Sequence, residues 1–327
     1  MSREVNMNIR SLTNTILATI LLSLAFSIAA KPSSEAITIW SNGVRLAGDL
    51  WKPAGLKAEE KRPALLMMHG WGGTKAHLNQ AYAPQFAELG YIVLTFDYRG
   101  WGESDGKLIR VGDKPADVKG DFQLKVREVR TVVDPLDQLE DIRAAHAYLV
   151  GEAQVEADRL AVWGSSLGGG LSLQSAASLS GVKVLIDQVG AVQGLGGGPD
   201  TAENPMSASN MLRLRSAVSR GDQPPFPGPE SKAPGLSGFP DFHRFDLYKP
   251  FTYADQLTAA TLIIDARDEE LFDIKQNGVA LYSKIKDRIT ARYEAIPGKH
   301  YDIYTGEGYN KAMELEKAWL QKHLPIK

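Results

Sequence analysis

A GxSxG pattern near the middle of the chain places a serine where nucleophilic chemistry is possible. The pattern is Gly164-Ser165-Ser166-Leu167-Gly168, with Ser166 at its centre. It follows an apolar run typical of a buried strand, and small and apolar residues at helical spacing come after it. A sharp turn from strand to helix requires glycine on both sides, because other side chains would collide with neighbouring elements. Such a turn would hold the Ser166 hydroxyl above a sheet edge, where it can attack a carbonyl carbon.

The helix predicted after Ser166 would also stabilise negative charge. Its first backbone N–H groups, beginning with that of Leu167, have no acceptor within the helix and would point toward a bound substrate. The alternative is a glycine- and serine-rich connection, such as a phosphate-binding loop. Gly169 and Gly170 extend the pattern and permit close helix packing, which favours the nucleophile interpretation.

A serine nucleophile needs a general base and a carboxylate that orients the base, and both have candidates later in the chain. Residues 267–270, Arg-Asp-Glu-Glu, follow a predicted strand at 260–265. His300 follows another predicted strand at 290–296. In open α/β sheets, sites lie beyond the carboxyl ends of the strands. Serine, acid and histidine would therefore meet at one sheet edge, in that chain order.

The segment His69-Gly-Trp71-Gly-Gly73 comes directly after a predicted buried strand at 63–68. A glycine-rich turn at this place lets the backbone approach a ligand, and the Trp71 N–H could donate to an oxyanion. His69 comes too early in the chain to be the base. We expect it to brace the turn.

Asp97 and Arg99 lie in a polar loop after the predicted strand 91–96. Their charges suggest a functional pair, but loops of this kind are commonly fixed by hydrogen bonds and an ion pair. We therefore expect a structural role for both residues.

Strands and helices alternate along most of the chain, which predicts an α/β fold with a mostly parallel central sheet and helices on both faces. The first two strands, 37–41 and 44–51, are joined by Asn42-Gly43, a strong signal for a two-residue hairpin. Residues 105–133 are charged and poorly periodic, and we predict an irregular insertion that could contain a helix.

Residues 193–250 interrupt the alternation with glycine- and proline-rich stretches around a short predicted helix at 207–220. Long irregular segments in compact domains are commonly lids, binding loops or disordered linkers. Apolar residues favour a cap over the site: Met206, Met211, Leu212, Phe226, Phe242 and Phe245.

Length and composition limit the number of domains and the classes of partner. The chain has 327 residues, a net charge of −2 and no cysteine. These values favour one large domain at 31–327, argue against nucleic acid as a partner, and exclude disulfides and cysteine zinc sites.

Residues 1–30 contain Arg3 and Arg10, an apolar run and small residues before Lys31, which is typical of a secretory signal peptide. The alternative is a retained anchor. With cleavage we expect a periplasmic or secreted protein without stable membrane insertion.

The motifs HGWGG, DYRGWGESDG, GSSLGGG and GKH, taken in order, make the chain resemble the α/β-hydrolase superfamily. The resemblance covers 37–323 and is greatest to the dienelactone hydrolase and X-prolyl dipeptidyl peptidase-like branches, which include many esterases. It implies Ser166 as nucleophile, His300 as base, and the backbone N–H groups of Trp71 and Leu167 as oxyanion hole.

The acid departs from the pattern of that superfamily, in which glycine, two residues and aspartate follow the strand. Ala266 stands where the glycine would be, and counting three residues onward reaches Glu269. The resemblance therefore implies Glu269, with Asp268 as the alternative.

The expected activity is hydrolysis of a carboxylic ester through an acyl-enzyme, which needs no metal or organic cofactor. A serine peptidase is the first alternative, and it would need an acid such as Glu203 or Glu230 to anchor a free amino terminus. A noncatalytic binding protein on the same fold is the second alternative, and it would be expected to lack a member of the triad.

Overall fold

The computed structural model describes residues 31–113, 119–194, 201, 203, 207–223, 230–231 and 235–327. The predicted signal peptide lies outside these residues, as do Met206 and Phe226 of the predicted cap. Within the described ranges, no helix is long and apolar enough to cross a bilayer.

The central sheet has eight strands and confirms the predicted α/β class. The strands are β1 (Ser33–Ser41), β2 (Val44–Lys52), β3 (Arg62–Met68), β4 (Ile92–Phe96), β8 (Val155–Ser165), β9 (Val182–Gln188), β11 (Ala260–Ala266) and β12 (Ala291–Ile296). Their spatial order is β1-β2-β4-β3-β8-β9-β11-β12. All neighbours from β4 to β12 run parallel, and β1 and β2 are antiparallel additions at one edge.

The hairpin that joins β1 to β2 has the predicted turn. Asn42 and Gly43 have φ values of 48° and 81°. Two successive residues with positive φ form the turn type that matches the twist of an antiparallel pair. The pairing continues from Ser41–Val44 back to Ser33–Lys52.

Helices cover both faces of the sheet because the strands alternate apolar side chains between two cores. In β3, Leu66 and Met68 belong to one core, and Leu65 and Met67 to the other. The helices are α1 (Lys75–Ala81), α2 (Ala83–Glu88), α3 (Pro135–Gly151), α4 (Leu167–Ser178), α5 (Ala208–Arg220), α6 (Phe242–Leu247), α7 (Gly278–Ile285) and α8 (Gly306–His323), with 3-10 turns at Pro250–Gln256 and His300–Tyr304. Residues of α3, α4 and α7 fill the first core, and residues of α1, α2 and α8 fill the second.

The insertion at 105–133 differs from the prediction, because its described residues form strands and no helix. β5 (Lys107–Arg110) pairs antiparallel with β6 (Val126–Val129), and the two-residue β7 (Val132–Val133) pairs with β10 (Phe239–Pro240). Half-buried and exposed side chains alternate along β5. This period of two fits a ribbon that covers the surface with one side.

Asp97 and Arg99 have the structural role that we expected, but through separate partners. The Asp97 carboxylate accepts from the backbone N–H groups of Lys75 at 2.7 Å and Glu103 at 2.9 Å. The Arg99 guanidinium bonds to Asp141 of α3, with 2.9 Å between Nε and Oδ1. The loop after β4 is therefore held to two different helices, which fixes the sheet edge where the site lies.

Candidate active site

Ser166 lies on a sharp turn between β8, which ends at Ser165, and α4, which begins at Leu167. Its backbone has φ 57° and ψ −122°, a conformation that residues other than glycine rarely adopt. A Cβ at Gly164 would lie 2.0 Å from the Gly168 carbonyl oxygen. A Cβ at Gly168 would lie 2.4 Å from the carbonyl oxygen of Met68 in β3. Both glycines are required by the packing around the serine.

The backbone after β3 packs directly against this serine. A Cβ at Gly70 would lie 2.9 Å from the Cβ of Ser166, so the chain passes as closely as glycine permits. Trp71 follows at once. On the other side, Leu167 is the first residue of α4, and its N–H has no acceptor within the helix. The structure thus brings the turn that precedes Trp71 and the start of α4 next to Ser166.

The Trp71 side chain is anchored to the segment before α6. Its indole Nε1 donates to the Ser237 carbonyl oxygen at 2.8 Å, and its ring stacks on Phe245 with 5.5 Å between centroids. A Cβ at Gly72 would lie 2.7 Å from Ser237 Oγ. These contacts fix the side chain, and with it the position of the neighbouring backbone.

His300 and Glu269 form a buried hydrogen-bonded pair. The distance between His300 Nδ1 and Glu269 Oε2 is 2.7 Å, and the two side chains are 2% and 1% exposed. The alternative acid, Asp268, is exposed, and its backbone N–H donates to the Gly298 carbonyl oxygen. The contact with His300 therefore belongs to Glu269. With Nδ1 bonded to a carboxylate, Nε2 is the ring nitrogen left to exchange a proton.

Backbone contacts hold this pair in place. The Glu270 carboxylate accepts from the His300 backbone N–H at 3.0 Å. The remaining oxygen of Glu269, Oε1, accepts from the Leu271 N–H at 2.9 Å. The acidic loop follows β11 and the histidine loop follows β12, and these two strands are parallel neighbours. Their carboxyl ends therefore deliver both loops to the same sheet edge.

Ser166 and His300 line one cleft of about 700 Å³. Its described lining residues are His69, Gly70, Trp71, Gly72, Gly73, His77, Leu78, Gln80, Ala81, Tyr82, Trp163, Ser165, Ser166, Gly235, Leu236, His300, Tyr301, Tyr304 and Thr305. None of these described residues is Asp, Glu, Lys or Arg.

His69 also lines the cleft, and its contacts fit the predicted bracing role. Its Nδ1 lies 3.0 Å from the Gly70 carbonyl oxygen, and its ring lies 4.4 Å from that of Tyr98. Burial lowers the pKa of His69 to about 4. The ring is therefore neutral near pH 7.

Four aromatic residues of the cleft were missed by the sequence reasoning: Tyr82, Trp163, Tyr301 and Tyr304. Three of them lie beside the motifs, since Trp163 precedes the serine turn and the two later tyrosines follow His300. Proximity to the motifs could have revealed these three. Tyr82, between α1 and α2, has no comparable signal.

The described parts of 193–250 lie partly at the site. Gly235 and Leu236 line the cleft, and Phe245 is buried beneath Trp71. Glu203 and Glu230 are exposed and are not among the described lining residues. A cap formed by the whole segment stays a prediction.

Comparison of the sequence with known families finds that residues 42–198 match the X-Pro dipeptidyl-peptidase (S15) family. A curated relative is an uncharacterized 31.7 kDa protein of Escherichia coli from the traX-finO intergenic region. It is 26% identical over 286 residues, which cover 81% of this chain and 92% of that protein.

Solved structures with the same fold include the α/β-hydrolase GrgF from Penicillium sp. sh18, with a TM-score of 0.66 and 17% identity. The match covers 90% of this chain and 99% of that one. Est1E from Butyrivibrio proteoclasticus, solved with ferulic acid bound, has a TM-score of 0.64 and 19% identity, covering 88% and 99% of the two chains.

Proposed function

We propose that this chain, a relative of the α/β-hydrolase superfamily, is a serine hydrolase that cleaves carboxylic esters. The observation that carries the proposal is the placement of Ser166 and His300 in one cleft, with the His300 Nδ1 held 2.7 Å from a buried Glu269 carboxylate. Nucleophile, base and orienting acid are the three groups that acyl transfer by serine requires. A noncatalytic binding protein would not need a nucleophile, a base and an orienting acid at one site.

In the first half of the reaction, Ser166 Oγ forms a bond to the ester carbonyl carbon while His300 Nε2 takes the hydroxyl proton. The backbone N–H groups of Trp71 and Leu167 donate to the oxyanion of the tetrahedral intermediate. The bond between carbonyl carbon and alcohol oxygen then breaks. His300 gives its proton to that oxygen, and the alcohol leaves. Glu269 holds the imidazole ring and stabilises its protonated form.

Water completes the second half by the same route. Its oxygen bonds to the acyl carbon while His300 Nε2 takes one of its protons. The bond to Ser166 Oγ breaks, His300 returns the proton to the serine, and the carboxylic acid is released. The free enzyme is thereby restored.

A serine peptidase is the second candidate, favoured by the family match over residues 42–198. Peptidases that read a free amino terminus need a carboxylate close to the nucleophile. The described lining of the cleft contains none, and Glu203 and Glu230 are exposed. The described part of the site therefore favours esters. Comparison of kcat/KM for p-nitrophenyl butyrate with that for an aminoacyl-prolyl anilide separates the two activities.

The decisive variant for the proposed function is Ser166→Ala. It removes the nucleophile, and we expect turnover of p-nitrophenyl acetate to fall by about 10⁴-fold or more. Ser178→Ala, which only removes a hydroxyl bonded to the Gln174 carbonyl oxygen within α4, is the matched control and should retain activity. Turnover by Ser166→Ala within about tenfold of the unchanged protein would contradict the proposal.

We also propose that residues 1–30 direct export to the periplasm or beyond the cell. The support is their charged start, apolar run and small residues before Lys31. Cell fractionation with mass determination of the exported chain tests this. An unshortened chain confined to the cytoplasm would oppose it.

A further inference from the structure

Two pairs of aromatic rings line the cleft near the candidate nucleophile. Tyr82 contacts Trp163 with 4.8 Å between ring centroids, and Tyr301 contacts Tyr304 at 6.3 Å. The second pair adjoins His300, whose ring lies 5.2 Å from Tyr301. Tyr301 is 45% exposed and offers a ring face to a planar ligand, whereas Tyr82 and Trp163 are 3% and 0% exposed and support the cleft wall from behind.

A chain of hydrogen bonds connects the two aromatic pairs behind the nucleophile. Gln188 Nε2 donates to Tyr82 Oη at 3.2 Å and to Ser165 Oγ at 3.5 Å. Ser165 Oγ and Tyr304 Oη are 2.5 Å apart. We call these four residues the polar floor. Three of them, all except Gln188, line the cleft.

The polar floor has more donor hydrogens than hydrogen bonds that use them. Its amide and three hydroxyls carry five hydrogens, and three hydrogen bonds join the four residues. Two hydroxyl hydrogens are thus left without an acceptor among the described residues. The Gln188 Oε1 is buried and also has no partner there. Buried donors without acceptors are costly, so a ligand oxygen at this place would be favoured.

The polar floor is also uncharged. Burial raises the pKa of the Tyr82 and Tyr304 phenols, so both stay protonated and able to donate. Behind Trp163, whose Nε1 donates to Glu316 Oε1 at 2.9 Å, burial raises the pKa of the Glu316 carboxyl to about 8. The site therefore offers hydroxyl donors without a charge, which suits a neutral oxygen.

We propose that the cleft binds an aromatic ring carrying a hydroxyl or ether oxygen, with the ring against Tyr301 and Tyr304 and the oxygen at the polar floor. Tyr82 and Tyr304 are then specificity-determining residues. The substrate class is an ester of a hydroxylated or alkoxylated aromatic compound. The hydrolytic part of this inference depends on the proposed function, but binding of the ring does not.

Binding to the Ser166→Ala protein tests the ligand class without turnover. Methyl 4-hydroxycinnamate and methyl cinnamate differ by one oxygen, and we expect the first to have a Kd about fivefold lower. Adding Tyr82→Phe or Tyr304→Phe should reduce that ratio to about one. Tyr309→Phe is the control that should leave it unchanged, because the Tyr309 hydroxyl bonds to the Ala81 carbonyl oxygen and does not line the cleft. Titration calorimetry measures each Kd.

Turnover by the unchanged protein shows which side of the ester carries the ring. The first pair is methyl 4-hydroxycinnamate against methyl cinnamate, and the second is 4-hydroxyphenethyl acetate against phenethyl acetate. A higher kcat/KM for the oxygenated member of one pair assigns the ring to the acyl or the alcohol side.

Two outcomes separate this inference from the proposed function. Equal Kd values and equal kcat/KM values within both pairs would overturn the inference, while hydrolysis that depends on Ser166 would still support the proposed function. Selective binding of the oxygenated ring without any hydrolysis that depends on Ser166 would keep the inference and overturn the function.

Discussion

Replacing Asp265 by asparagine should remove a large part of the pH dependence of stability. Asp265 of β11 and Asp187 of β9 are fully buried and face the same side of the sheet, because Asp187 pairs with Ile263, two residues before Asp265. Burial, as the largest cause, raises the pKa of Asp265 from 3.8 to about 7. Burial and the charge of Asp265 raise the pKa of Asp187 further.

The sign follows from proton binding. Between pH 4 and 7 the folded state holds the Asp265 proton and the unfolded state does not, so stability falls as pH rises through this window. Within this window, each increase of one pH unit lowers the contribution of Asp265 to the free energy of unfolding by about 1.36 kcal/mol. From pH 5 to the folded pKa of about 7, the loss from this group is therefore about 3 kcal/mol. Above pH 7 its contribution is constant.

Urea unfolding at pH 5 and pH 8 measures this contribution. We expect the free energy of unfolding of Asp265→Asn to fall by about 3 kcal/mol less over this interval than that of the unchanged protein. Any loss of stability caused by the buried asparagine itself is the same at both pH values, so it cancels from the difference between them. Asp255→Asn is the control, since that carboxylate is 71% exposed and paired with Lys284. Equal pH dependence in the unchanged protein and Asp265→Asn, within about 0.5 kcal/mol, would refute the reasoning.

Two further predictions concern the site itself. Glu269→Gln should lower kcat for p-nitrophenyl acetate by about 10⁴-fold, because the amide cannot stabilise the protonated imidazole. The control Asp268→Asn should keep kcat within about threefold of the unchanged protein. Equal losses in the two variants would contradict the assignment of the acid. Gly168→Ala should abolish the folded, active protein, because its Cβ would lie 2.4 Å from the Met68 carbonyl oxygen. Gly151→Ala, where a Cβ meets nothing within 4 Å, is its control, and thermal unfolding with activity measures both.

The fold could be predicted from the sequence because its signals are local. Buried strands, the Asn42-Gly43 turn and the glycines around Ser166 each depend on a few consecutive residues. The sequence of residues 75–89 predicts a single helix, and the structure divides it at Tyr82, whose aromatic ring packs against Trp163. Such a contact is set by packing between distant segments, and no local pattern reports it.

Partners distant in the chain could not be predicted for the same reason. Arg99 bonds to Asp141, 42 residues away, although the sequence suggested a pair with the nearby Asp97. The ribbon of β5 and β6 joins residues on either side of 114–118, and charged side chains obscured its period of two. By contrast, the choice of Glu269 rested on counting from Ala266 at a strand end, and the contact with His300 agrees with that count.

Sheet register explains why the candidate nucleophile and the polar floor are parts of one structure. Ser165 pairs with Gln188 across β8 and β9, and paired residues of parallel neighbours face the same side of the sheet. Trp163, two residues earlier, lies on that side too. The chain turns immediately after Ser165, so Ser166 lies above the sheet edge while Ser165 is part of the polar floor. A shift of β9 by one residue would replace Gln188 with Asp187 and place a carboxyl beside Ser165. The pairing of β8 with β9 therefore determines both the uncharged character of the floor and its distance from the candidate nucleophile.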